Sequence, residues 1–364
     1  MKRKLQRISS ISFLMILFLC GFIVSVNAQD ATFSQYYASP LMLNPALSGS
    51  YITPVVGVNY KKQWRDSEYP RDQMHLGVIY PIIPKSGYNG RHLGGVGLSV
   101  FDESAGVDKS FNTTSIRVSG SYNVQLDGNG LHQLTFAIQG GIVRKYINMA
   151  NLFWGEQAKR WASPANYGKT TNEIQNEVPG PDYLNESTTF PVIGAGVMWY
   201  HSEKTRRGFI KRSFYGGVAA DNLNVPDESL VQDGTKSSLP ILLKVHGGAL
   251  FNTPFEDWQV SPNFLFQYQN SLMQYNLGVY FSYMVSSTKF RDDAKRLVFG
   301  GWYRVGDAAI FNVGFETKEF NVGFSYDMNT TYLRYNTNSG GALEVSFAYK
   351  FKTKKKRKFA TPLM

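Results

Sequence analysis

The stretch LVFGGWYRVGDAAIFNVGFETKEFNVGFSYDMNTTYLRYNTNSGGALEVSFAYKF, residues 297–351, decides the fold, because apolar and polar residues alternate along it with a period of two. Phe320, Val322, Phe324 and Tyr326 fall on one face, and Asn321, Gly323, Ser325 and Asp327 on the other. Leu343, Val345, Phe347, Tyr349 and Phe351 repeat the pattern against Glu344, Ser346, Ala348 and Lys350. Such alternation predicts consecutive strands that each separate two environments. A water-soluble sandwich shares it, so the rest of the chain must decide between the two.

Export and aromatic content decide it. Lys2, Arg3, Lys4 and Arg7 precede an apolar run over residues 8–26 and the small-residue exit Val26-Asn27-Ala28, which predicts a secretory signal peptide over residues 1–28. The only cysteine, Cys20, lies inside that run, so no disulfide framework, thiol nucleophile or Cys-based metal site is expected after cleavage. Aromatic residues make up 15% of a chain whose mean hydropathy is −0.25. No later window is apolar over the ~18 residues that a membrane helix needs. A chain of this kind crosses a bilayer only as a closed barrel, in which backbone groups pair between strands and alternate side chains meet lipid.

Candidate strands centre on Val58, Val78, Leu98, Val118, Phe136, Val197, Val218, Val245, Phe264, Val279, Phe299, Phe311, Phe324 and Phe347. The fold class is therefore all-β, a transmembrane antiparallel barrel of about 14 strands. The chain divides into the signal peptide, an N-terminal segment over residues 29–54 that lines or plugs the barrel, the barrel at 55–351, and a basic periplasmic tail at 352–364. An even strand number places both termini in the periplasm. Long connections over residues 148–188 and 224–238 are then extracellular, and Asp127-Gly128-Asn129-Gly130 is a tight periplasmic turn. The connection over 286–294 is longer than that scheme prefers. Lys61, Arg117, Lys244 and Arg304 should face the lumen, since a cation facing lipid near mid-membrane costs roughly 2–4 kcal/mol.

Chemistry is sparse in this pattern. His75, His92, His132, His201 and His246 fall on different expected hairpins, and none pairs with another at metal-ligand spacing. They read as lumen or rim residues. Gly94-Gly95-Val96-Gly97 lacks the helix and lysine of a nucleotide loop and reads as crowded or bent strand. No catalytic, metal or cofactor-binding residue is expected. The formal charge of +11 falls to +7 without the four signal-peptide cations, and the surplus is concentrated near the C-terminus. In an exported chain this does not point to nucleic acid. Lys354, Lys355, Lys356, Arg357 and Lys358 read either as a solvated extension or as a contact for an acidic periplasmic face. Headgroups of the outer-membrane lipids are the rival partner for that run.

The run QDATFSQYYASPLMLNPALSGS, residues 29–50, resembles the N-terminal signature of the PorP/SprF family, Bacteroidetes outer-membrane proteins of the type IX secretion system and gliding motility. GGWYR at 300–304, DAAI at 307–310, FSYDMN at 324–329 and GGALEVSFAYKF at 340–351 agree with it, as do LFWGEQ at 152–157 and VSPNFLFQYQN at 260–270. The resemblance implies an integral outer-membrane barrel without enzymatic activity. The partners it implies are periplasmic lipoprotein and ring components, the outer-membrane translocon, and the C-terminal domain of a secreted adhesin or other cargo at the cell surface. Trp154 and Trp161, in the longest connection, are candidate partner anchors, because aromatic residues dominate interface hot spots. The competing class is a porin-like channel for small anionic solutes, drawn by the luminal cations. A hydrolase ranks behind both.

Overall fold

The computed structural model describes residues 33–64, 70–84, 92–127, 131–149, 185–204, 210–232, 234–254, 257–285, 295–330 and 341–352. Fourteen strands make up the wall. They are β1 (Val55–Gln63), β2 (Arg71–Ile82), β3 (Gly94–Ala105), β4 (Phe111–Gln125), β5 (His132–Ile147), β6 (Ser187–Lys204) and β7 (Ile210–Asp221). The second half comprises β8 (Leu242–Asn252), β9 (Trp258–Gln269), β10 (Leu272–Met284), β11 (Arg296–Arg304), β12 (Ala308–Glu316), β13 (Phe320–Asn329) and β14 (Ala342–Lys350). Each is antiparallel to its sequence neighbours, and β1 closes the ring by pairing with β14, Val58 standing opposite Phe347. Every strand centre read from the sequence falls inside one of these strands. Closure leaves no unpaired strand edge, the condition for placing a sheet in hydrocarbon.

The two faces are inverted relative to a water-soluble protein. Ile138 is 74% exposed, while Thr135, His75 and Glu344 are fully buried. Within β13 the outward Phe324 is exposed and the adjacent Ser325 buried, and β14 repeats this with Val345 and Glu344. An exposed apolar wall around a polar interior is stable only against lipid. Exposed tyrosine and tryptophan residues gather toward both rims, Tyr80, Tyr122 and Trp258 at the end where β1 begins, and Tyr60 and Tyr303 at the other, while phenylalanines such as Phe264 and Phe324 lie between them. Amphipathic rings collect at that depth. Among the described residues no helix is long and apolar enough to cross a membrane.

The end where β1 begins and β14 finishes is called the near end here, and the opposite one the far end. The far end carries the odd-numbered connections, and their lengths correct a simple rule of long loops on one side only. Asn270-Ser271 alone joins β9 to β10, with φ of 44° and 69°, and residues 305–307 join β11 to β12 around Gly306 at φ 74°. The two successive positive φ values of Asn270-Ser271 match the right-handed twist of a hairpin, so β9 and β10 turn back without a loop. The length asymmetry rests on residues 148–186 and 222–241 instead. The connection at 286–294, the turn residues 128–130 and the expected signal peptide lie outside the described residues.

Candidate functional site

Residues 33–51 are too rich in proline to continue a strand, and they occupy the barrel interior. Pro40 opens a one-turn helix, α1 (Pro40–Leu43), and Pro45 opens a 3-10 turn, Pro45–Gly49, where its missing N–H costs nothing. The Asn44 side chain accepts the N–H of Ala46 at 2.9 Å and caps that turn. Leu43, Ala46 and Leu47 then pack against Ala137, Met198, Tyr200 and Leu265 of the wall, forming an apolar core inside a polar lumen. The wall makes room for them. A Cβ at Gly95 would collide with the Ser48 carbonyl, and one at Gly196 with the Asn44 side chain.

Polar contacts tie the same segment to strands distant in sequence. Glu344 accepts the N–H of Ser34 at 2.6 Å with one oxygen, and with the other the N–H of Gln35 at 2.9 Å and the Asn59 amide at 2.8 Å. Asp327 receives Lys61 at 3.4 Å and Arg304 at 3.2 Å, and Arg304 also reaches Asp307 at 2.8 Å. Across the lumen, Asp221 pairs with Lys244 at 2.6 Å and Arg117 at 3.6 Å, and Lys244 donates to the Met42 carbonyl. His246 Nε2 lies 3.1 Å from the Asn44 amide nitrogen. The four luminal cations named from sequence thus all face inward, and each meets a carboxylate. Buried charges persist only with such partners.

Between this segment and the near end lies a cavity of about 200 Å³. Its polar lining includes Gln35 and Tyr37 of the luminal segment and Gln259, Asn263, Tyr280 and Asn312 of the wall. Arg296 and Glu316, the charged residues among its described lining, stand 4.0 Å apart, with Lys350 close to both. Among the described residues no group of three or more His, Cys, Asp or Glu is placed to hold a metal.

With this geometry in place, comparison with known proteins is specific. Residues 25–349 match the family model described as "Type IX secretion system membrane protein PorP/SprF". The chain belongs to the PorP/SprF family. It is accordingly a type IX secretion membrane protein, integral to the outer membrane. Comparison with curated proteins finds no match. Among solved structures, the toluene transporter TodX of Pseudomonas putida shares 10% identity over 86% of this chain and 93% of its own, with TM-score 0.46. The outer membrane protein Omp33 of Acinetobacter baumannii shares 6% identity over 83% and 100%, with TM-score 0.36.

In this PorP/SprF barrel the candidate partner residues Trp154, Trp161, Lys354, Lys355, Lys356, Arg357 and Lys358 lie outside the described residues. Lys352, just before the basic run, pairs with Glu319 at 2.7 Å. One sequence expectation is corrected. His132 and His201 are direct cross-strand partners on β5 and β6, with ring centroids 4.2 Å apart, beside Trp199 and Phe214 on the outer face. Their register is set across the 148–186 connection, which spacing in sequence does not reveal. Sequence reading also passed over Asp221, and it gave Glu344 and Asp327 no role beyond a polar face. Isolated carboxylates on the inward face of strands that carry inward cations are the signal that finds them.

Proposed function

We propose that this PorP/SprF protein works by binding other proteins of the secretion machinery rather than by conducting solutes or converting a substrate. The observation that carries this reading is the occupied lumen: residues 33–51 lie within it and are fastened to opposite walls by Glu344, Asp327 and Lys244. A general porin needs a water-filled path. Pairing of Lys61, Arg117, Lys244 and Arg304 with carboxylates also removes the cationic lining that an anion channel requires. Residues 29–54 act as a plug in this reading, and both termini face the periplasm.

Two surfaces serve partners. The basic run Lys354, Lys355, Lys356, Arg357 and Lys358 meets an acidic face of a periplasmic lipoprotein or ring component. Trp154 and Trp161 anchor the C-terminal domain of a secreted adhesin or other cargo outside the cell. Affinity purification from the native membrane followed by mass spectrometry tests this. Secretion components recovered with the full chain, and reduced when residues 353–364 are deleted, support it. A barrel that purifies alone and conducts ions steadily in planar bilayers overturns it.

A further inference from the structure

At the near-end rim the outer face carries two histidines in contact, where tyrosine or tryptophan would serve a lipid boundary. His132 opens β5, His201 lies close to the end of β6, and the two stand directly opposite each other in the ladder. Leu131 accepts the Ser202 N–H at 3.0 Å, which makes that pair hydrogen-bonded and the next one, His132 with His201, non-hydrogen-bonded. Side chains approach most closely in pairs of the second kind, whose Cα atoms are about 4.5 Å apart. The two imidazoles accordingly touch, with centroids 4.2 Å apart and planes inclined by 34°.

Neighbouring groups hold the pair and set its charge preference. Trp199, two residues before His201 on the same face, stacks on His132 at 5.9 Å, and Phe214, the β7 neighbour of His201, stacks on that ring at 6.3 Å. Asp127 accepts the backbone N–H of His132 at 3.0 Å, and its carboxylate interacts electrostatically with the imidazole. Glu203, next along the same face of β6, is paired with Arg212. The described charges nearest the two rings therefore favour a cation. His201 Nδ1 is buried without a hydrogen-bond partner, so Nε2 is the nitrogen with which this ring reaches a ligand. Two imidazoles in contact repel if both are protonated, whereas one metal ion accepts a lone pair from each. Bonds of 2.0–2.1 Å to a tetrahedral ion put its two nitrogens about 3.3 Å apart, a spacing that touching rings reach by turning about the soft χ2 torsion.

We infer that His132 and His201 together bind a divalent transition metal, zinc foremost, at the near-end rim, with water completing its coordination. Imidazole suits zinc, and the oxygen-seeking magnesium and calcium ions find too few donors here. The other three histidines do not compete, since His75 and His246 are fully buried in the wall and His92 is 6% exposed. A bound ion joins β5 directly to β6 at the end away from their long connection. The site is separate from the surfaces assigned to protein partners, so it stands or falls without them.

Untagged full-length mature protein in detergent, stripped of metal with a chelator and dialysed, is titrated with zinc chloride by calorimetry. Saturable binding with Kd of about 1–100 µM is expected, because two ligands supply about half the free energy of a four-ligand zinc site. His132→Asn and His201→Asn, both at the outer rim, should each weaken binding by about tenfold or more while the folded band on unheated gels is unchanged. Magnesium chloride in excess should not displace the zinc. No saturable binding up to about 1 mM zinc, binding that survives either substitution, or displacement by magnesium, which would assign the ion to carboxylates, overturns the inference.

Discussion

Glu344 on the last strand accepts the backbone N–H of Ser34, 310 positions earlier in the chain, at 2.6 Å. Its second oxygen serves Gln35, so a single carboxylate fixes two successive backbone donors of the luminal segment. Glutamine at this position has one oxygen and sets an NH₂ against one of those N–H groups. Glu344→Gln is therefore expected to destabilise the protein by about 1–3 kcal/mol, because a buried donor loses its acceptor. The urea midpoint of the protein refolded in lipid vesicles measures it. An unmoved midpoint would mean that the segment is not anchored through Glu344.

Close approach makes a second test. Valine at Gly95 would push a methyl group into the Ser48 carbonyl, whereas a Cβ at Gly140 on the outer wall meets nothing within 4 Å. Gly95→Val should cost about 1–3 kcal/mol as an overpacked contact. Gly140→Val should be close to neutral. Equal midpoints for the two variants would show that the segment does not rest against β3.

Faces were legible in the sequence, and partners were not. The period of two along β13 and β14 assigns Phe324 outward and Ser325 inward without any knowledge of neighbours, since adjacent side chains on a strand point to opposite sides. The inward setting of Lys61 and Lys244 follows from the cost of a cation in lipid. What meets each cation is a long-range matter. Lys61 finds Asp327 from β13, together with the Ser34 hydroxyl from the luminal segment. The His132–His201 contact depends on a register set across the long β5–β6 connection. The tight Asn270-Ser271 turn was hidden because neither residue is glycine, the usual sign of positive φ.

Lipid contact is testable at the most exposed large apolar side chain among the described residues. Ile138 is 74% exposed and pairs with Gly120 and Ala195 well within β5. Ile138→Arg is expected to lower folding free energy into a bilayer by roughly 2–4 kcal/mol, the cost of a cation near the midplane. Ile138→Leu should change it little. Equal stability of the arginine and leucine variants would place this face in water.

Acid should loosen the β7–β8 connection before the wall. Asp227 accepts the N–H groups of Ser237 and Ser229, each at 3.0 Å, and these bonds hold its carboxyl below the ordinary value of 3.8. A folded value below the unfolded one gives stability that is complete above the unfolded value and lost as pH falls through the folded one. Protection of the Ser229 and Ser237 amides in hydrogen exchange should decline below about pH 4, and Asp227→Ala should lack it at neutral pH. Protection that is flat with pH in the unaltered protein would separate the loop's order from this carboxylate.

Removing residues 33–51 tests what fills the lumen. Their apolar side chains cover Ala137, Met198 and Leu265, and their polar atoms bridge Glu344 on β14 to Lys244 on β8. Without them, Asp327 with Lys61 and Arg304, and Asp221 with Lys244 and Arg117, remain as paired charges on a wetted wall. Such pairs lose little when hydrated, since exposed ion pairs contribute only about 0–1 kcal/mol. The strand ladder, closed by β1 with β14, should therefore survive the deletion. In planar bilayers the deleted form is expected to conduct at least about tenfold more than the intact chain, because the polar interior of a closed barrel fills with water once its occupant is gone. The folded band on unheated gels confirms closure. Equal, steady conductance from both forms would show that ions already pass the segment, and the porin-like reading would then replace the binding one.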